Sequence, residues 1–172
     1  MPIPKKVSAY LKKANKQFEA VTHKTVYTAY DLAHTLRTDL KAIAKALVIK
    51  TDKAYLIAVV PASARVDLKK LKTALGVKKI SIPDEKVMVK VFNVKPGAIT
   101  AFGKLHDVET IVDKSLLKAK DVILQAGSFT DSVRMKAKDF IELEQARLAN
   151  FAQKASYKTP KVKPRKKVAK KK

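Results

Sequence analysis

Two β-rich runs, residues 46–50 and 55–60, are separated by only Thr51-Asp52-Lys53, and Pro61 follows the second. So short a connection reads as a hairpin turn, and the proline ends the second strand. The chain is thereby committed to a sheet. Upstream, Val7, Tyr10, Leu11, Ala14 and Phe18 follow helical spacing with lysines between them, the pattern of an amphipathic helix. Residues 21–26 read as extended. Thr28 followed by Asp31 has capping-box spacing and opens a helix through Leu36, and Thr38 or Asp39 caps another running to about Lys45.

Downstream, Asp67 caps a helix over 68–75 that Gly76 stops. Residues 78–82 and 110–112 are predicted strands, with a helix over 84–92 between them. Residues 121–126 and 132–135 form a second strand pair broken at Gly127. Phe140, Ile141, Leu143, Leu148 and Phe151 predict a closing helix over about 136–153. Strands and helices interleave without a regular βαβ repeat, so the fold class is α+β with a mixed sheet. There is no internal repeat.

With 172 residues, 47% of them hydrophobic, the chain can bury one core, and one domain with appendages is expected. The absence of cysteine excludes disulfides, zinc–thiolate sites and a cysteine nucleophile, and fits a reducing compartment such as the cytoplasm. No apolar run approaches the roughly 20 residues of a membrane helix, and the lysine-bearing N-terminus lacks the apolar core of a signal peptide.

The formal net charge is +23, which favours polyanions through counterion release, and nucleic acid above all. Residues 154–172 hold ten Lys/Arg and no acid, leaving +13 on the remainder once these ten are subtracted from +23. Too few apolar residues lie in that segment to offset its ordering entropy, so it is predicted to be disordered when free. The expected organisation is a basic N-terminal helix packed on the domain (1–20), a central domain (21–153) and a Lys-rich tail (154–172).

Catalytic signatures are sparse. There is no nucleophile elbow, no phosphate-cradling Gly-rich loop and no histidine pair at metal spacing, and His23, His34 and His106 are dispersed. Two loops remain in which glycine sits among small and hydroxyl residues: Lys95-Pro96-Gly97-Ala98-Ile99-Thr100-Ala101-Phe102-Gly103 and Gln125-Ala126-Gly127-Ser128-Phe129-Thr130. Glycine lets backbone N–H groups approach a ligand closely, and such donors can hold a carbonyl oxygen or a phosphate. By spacing alone these loops are as readily ordinary turns.

Four pieces occur in order along the chain: Ala44-Lys45-Ala46-Leu47-Val48; Val60-Pro61-Ala62 with Arg65-Val66-Asp67-Leu68; Pro96-Gly97-Ala98 with Phe102-Gly103; and Ala126-Gly127-Ser128 with Val133-Arg134-Met135. Together they resemble the YbaK family, the prolyl-tRNA synthetase-associated editing domain, over roughly residues 23–143. The resemblance implies a mixed, largely antiparallel, curved sheet flanked by helices. It further implies a free-standing hydrolase that cleaves the ester of a mischarged tRNA in trans. Lys45 matches the family lysine that holds the terminal nucleotide's phosphate, and the backbone amides of Gly97 and Ala98 match those that hold the aminoacyl carbonyl. Thr100, Phe102, Gly103, Gly127 and Ser128 are assigned to substrate binding. The attacker is water, assisted by the substrate's own ribose hydroxyl.

No cofactor or metal is implied. The implied partners are the aminoacylated 3′ end of tRNA and, optionally, an aminoacyl-tRNA synthetase, with no membrane and a monomer or weak dimer as the assembly. One departure is Ala101, where many members carry proline in a Gly-x-x-x-Pro loop. It leaves open the substrate choice, and it supports the alternative of a non-catalytic basic RNA- or DNA-binding protein on an editing-domain fold. A tail serving anionic membranes or nuclear import has the same composition. Because lysines contact phosphate without reading bases, truncation at Lys154 should flatten the log–log salt dependence of tRNA affinity; an unchanged slope means that the tail does not touch RNA.

Overall fold

The computed structural model describes residues 3–95 and 97–155. Of the segment 154–172 expected to be disordered, Lys154 is paired with Ala64 in a strand, and residues 156–172 lie outside the described residues. Within them, the predicted hairpin is the centre of the molecule. Strand β2 (Ile43–Thr51) pairs antiparallel with β3 (Tyr55–Pro61), from Ala44 opposite Pro61 to Lys50 opposite Tyr55. The turn is closed by Thr51, whose N–H and hydroxyl both donate to the Ala54 carbonyl at 2.9 Å.

Around the hairpin, β1 (Glu19–Thr22), β5 (Ile80–Ser81), β6 (Glu109–Asp113), β7 (Asp121–Gln125), β8 (Asp131–Lys136) and β9 (Arg147–Ala149) complete an eight-stranded sheet. Its order is β1-β8-β7-β2-β3-β6-β9, with β5 on the outer end of β2. The β1–β8, β8–β7, β2–β3 and β2–β5 pairs are antiparallel; β7–β2, β3–β6 and β6–β9 are parallel. A separate two-stranded ribbon pairs β4 (Ala64–Val66) with β10 (Ala152–Lys154). The fold class is therefore the expected mixed one.

Five α-helices flank the sheet among the described residues: α1 (Lys5–Lys13), α2 (Ala29–Leu36), α3 (Leu68–Leu75), α4 (Glu85–Phe92) and α5 (Ala137–Glu144). The predicted caps hold. The Thr28 hydroxyl accepts from the Asp31 N–H and the Asp67 carboxylate from Lys69 and Lys70, while Gly76 ends α3 at φ +63°; Asp84, expected inside α4, instead caps it by accepting from the Val87 N–H. Val7 and Leu11 of α1, Met88 and Phe92 of α4, and Phe140 and Leu143 of α5 pack with Ala44, Val48, Ile57 and Val59 into the largest cluster. Two smaller clusters cover the opposite face: Leu71 of α3 with Ile49, Ala58 and Val60, and Leu32 and Ala33 of α2 with Ile43 and Ile123.

Two predicted helices are corrected. Asp39 caps only a single 3-10 turn, Leu40–Ala42, and the chain is already extended at Ile43. The Ala-rich stretch around Lys45 has helical propensity, but pairing with both β3 and β7 overrides it. The closing helix stops at Glu144, with Gln145 left-handed at φ +49°, and the chain then forms β9 and β10. Leu148 lies exposed on β9, while Phe151 is fully buried beside α3.

What redirects this segment is Asp113. Its carboxylate, only 3% exposed, accepts from the Phe151 N–H at 2.6 Å, the Ala152 N–H at 2.7 Å, and the N–H and hydroxyl of Ser115. Burial pushes this carboxyl up, but the bonds from Ser115, Phe151 and Ala152 outweigh it and hold it below the ordinary carboxylate value of 3.8. A depressed folded value means that the contribution to stability is complete above the unfolded value and is lost as pH falls through the folded one. Asp113→Ala should cost about 2–4 kcal/mol at neutral pH, because it orphans buried donors. In urea melts at a series of pH values, the gap between parent and variant should narrow as pH falls below about 4.

Candidate active site

Strand alternation decides where Lys45 points. Along β2, Ala44, Ala46 and Val48 face the largest cluster, so Ile43, Lys45, Leu47 and Ile49 face the other side. On that side Ile43 belongs to the α2 cluster, and Leu47 and Ile49 to the α3 cluster. Lys45 falls in the gap between them. It is half-buried, and its ammonium donates to the Ala64 carbonyl at 3.2 Å.

Over this gap opens a cleft of about 470 Å³. Its walls come from Tyr27 and the start of α2, from Leu40 and residues 43–46, and from Ala62, Gln125 and Gly97. Lys45 and Gly97, remote in sequence, thus share one cavity. Gly97 is exposed with φ +81°, and a methyl group there would sit 3.7 Å from the Phe129 ring and 3.8 Å from the Tyr27 carbonyl. Tyr27 is 68% exposed, and its ring lies 5.1 Å from that of Phe129, so the aromatic pair joins the cleft rim to the second glycine loop.

The second loop is closed by Asp131. Its carboxylate, 7% exposed, accepts from the hydroxyls of Ser128 and Thr130 at 2.8 Å each. Gly127 has φ +91°, and a methyl group there would press on Thr100 at 3.3 Å, so the two glycine loops pack against each other. Ala98, Gly127 and Ser128 line a smaller adjoining hollow with Asn93, Lys95 and Phe129.

The aminoacyl-tRNA editing domain model matches residues 23–143, which contain the cleft and both loops. The chain belongs to the aminoacyl-tRNA editing domain family. That makes it an aminoacyl-tRNA editing enzyme. It is similar to the multifunctional Ser/Thr-tRNA deacylase ProXp-y of Escherichia coli K12, with 27% identity over 148 residues, covering 83% of this chain and 89% of the relative. It is also similar to the prolyl-tRNA editing protein ProX of Acetoanaerobium sticklandii, with 25% identity covering 81% and 89% of the two chains. Among solved structures, a candidate trans-editing enzyme for prolyl-tRNA synthetase superposes with a TM-score of 0.74 at 20% identity, covering 86% of this chain and 95% of the other.

In this editing domain the remaining residues of the first loop turn inward. Ala98 is buried and its N–H donates to the Lys95 carbonyl at 3.0 Å, closing the loop. Thr100, 4% exposed, has its hydroxyl 3.3 Å from His106 Nε2. Burial holds that imidazole below its ordinary value, with Lys6 repelling its charged form. Phe102 is fully buried, edge-on to Tyr10 and Phe140. The Gly103 N–H donates to the Thr110 hydroxyl, and a methyl group on Gly103 would come within 2.6 Å of the Val108 carbonyl. Ala101 is buried in the largest cluster.

None of Thr100, Phe102 and Gly103 lines the main cleft, whereas Tyr27, Tyr30 and Gln125 do, and the sequence reading gave none of these three a site role. The signal for the tyrosines was local: they flank the α2 cap, where a helix start turns its first residues outward. His23 is also outside the cleft lining. Its Nδ1 donates to the Lys24 carbonyl at 2.9 Å, so its Nε2 accepts from the Ser132 hydroxyl, also at 2.9 Å, when the ring is neutral. Among the described residues no group of three His, Asp or Glu could hold a metal ion, and no helix is long and apolar enough to cross a membrane.

The two glycines are separable by stability. Gly103→Ala should lose about 2–3 kcal/mol by overpacking against backbone, and Gly97→Ala only about 1–2 kcal/mol of left-handed strain. Thermal melts of the two variants check the order.

Proposed function

We propose that this protein is a trans-acting aminoacyl-tRNA deacylase whose cleft takes the aminoacylated 3′ end of a mischarged tRNA. The reading is carried by one observation: Lys45 and the exposed Gly97, from distant parts of the chain, line one cavity of side-chain size. Lys45 holds the phosphate of the terminal nucleotide, exchanging the Ala64 carbonyl for a charged acceptor. The Gly97 N–H takes the aminoacyl carbonyl oxygen. The Ala98 N–H serves the loop itself, so the donor role falls to Gly97.

Water then attacks the carbonyl carbon, oriented by the adjacent ribose hydroxyl, and negative charge collects on the oxygen that faces Gly97. Collapse of this intermediate breaks the bond to the ribose oxygen, which leaves with a proton, and free amino acid and tRNA result. No protein general base is needed if positioning and polarisation supply the rate.

Selection is by size. Ala62 and Gly97 are small wall residues, and Leu32, Leu40 and Ile43 close the apolar side. Each methylene that the cleft accepts or rejects is worth about 1–3 kcal/mol, which suits a sieve for small amino acids. Incubation with a panel of mischarged tRNAs should show hydrolysis of those carrying small residues. Lys45→Ala should lower kcat/KM about 10- to 100-fold, the equivalent of one charge-assisted hydrogen bond. A parent protein inactive on every small-residue substrate overturns the proposal.

A further inference from the structure

Lys45 is tied to a second feature of the fold. The Ala64 carbonyl that receives its ammonium belongs to β4, and the register partner of Ala64 in the β4–β10 ribbon is Lys154. The Lys-rich C-terminal segment therefore leaves the domain one strand away from the ammonium at the cleft. The ribbon is basic on its own account. Arg65 and Lys154 are exposed on it, and β4 leads through Asp67 into α3, whose Lys69, Lys70 and Lys72 are exposed.

Lys69 and Lys70 border a shallow groove with Asn150, just ahead of β10. Among the described residues none of these five cations is in an ion pair; the four pairs engage Lys16, Arg134 and Arg147 instead. None of the exposed large apolar side chains lies on β4, β10 or α3, so this face offers charge without the apolar anchor of a lipid-binding surface.

The geometry points to a phosphate-binding seat made by β4, β10 and the first turn of α3, from which residues 156–172 extend along the acceptor stem of the RNA whose 3′ end enters the cleft. This rests on the deacylase reading for the identity of that end. The seat makes position matter: cations mounted one strand from Lys45 meet the phosphates nearest the reacting ester, where a diffuse polycation would favour no part of the RNA. Seventeen residues, 156–172, reach at most about 60 Å when extended, enough to follow a stem.

Because the chain has no cysteine, Ala155→Cys in the full-length protein accepts a single hydroxyl-radical probe at the root of the segment. With uncharged tRNA, strand cuts should concentrate in the acceptor stem. Cuts in the anticodon arm, or spread evenly, overturn the proposal. Moving residues 156–172 ahead of Met1 should fail to restore the affinity that truncation after Ala155 removes, and full restoration overturns it as well.

The triple variant Arg65→Gln, Lys69→Gln, Lys70→Gln should raise KM for tRNA severalfold at unchanged kcat and lower the log–log salt slope by about three. An unchanged slope counts against the seat. So does tail-dependent binding to phosphatidylserine-rich vesicles that tRNA does not compete away. The probe reads binding alone, so a deacylase assay that fails on every substrate would sink the functional reading while the cutting pattern still tests the seat.

Discussion

The rest of the structure depends on β2 being a strand paired on both sides and buried on both faces. Its backbone is hydrogen-bonded to β3 and β7, with β5 at its far end, so its direction and register are fixed. A strand held this way sends alternate residues to opposite layers without exception. One layer is closed by α1, α4 and α5 over a single large cluster. The other is covered by two separate patches under α2 and α3, and the interval between them is where Lys45 can sit without being dehydrated. The cleft is the consequence of that incomplete covering.

Acids are scarce in a chain with 38 Lys/Arg and 15 Asp/Glu, and three of them are spent inside. Asp113 fastens the C-terminal segment, Asp131 closes the second glycine loop, and Glu144 accepts from the Tyr10 hydroxyl, the Lys104 N–H and the Thr110 hydroxyl. Each receives several donors, which is how a buried carboxylate avoids the cost of dehydration. The Tyr10 bond to Glu144 also joins α1 to the end of α5, and burial together with this carboxylate pushes the Tyr10 phenol well up from its ordinary value. The outer surface carries a large excess of cations over acids, which suits an editing domain whose substrate is a polyanion.

Much of the fold was legible because its signals are local. Thr28 and Asp67 cap the helices that follow them, Gly76 ends one, and Thr51 closes the hairpin within four residues. The segment after Glu144 was not legible. Its apolar spacing fits a helix, and what makes it two strands is a carboxylate 38 residues away in sequence, at Asp113. The candidate site divides in the same way. The glycine loops were visible as composition, but nothing in their spacing separates Gly97, which faces the cleft, from Gly103, whose missing side chain makes room for the Val108 carbonyl.

By itself, then, the sequence determined the secondary-structure menu, the positive field and the family, since caps, turns, charge and short ordered motifs are properties of neighbouring residues. Only the tertiary structure decided that Lys45 lies between two apolar patches, that Gly97 lines the same cleft, and that the basic C-terminal segment starts beside the carbonyl which holds that lysine. These are relations between strands far apart in the chain, set by pairing register and by which faces the helices leave uncovered.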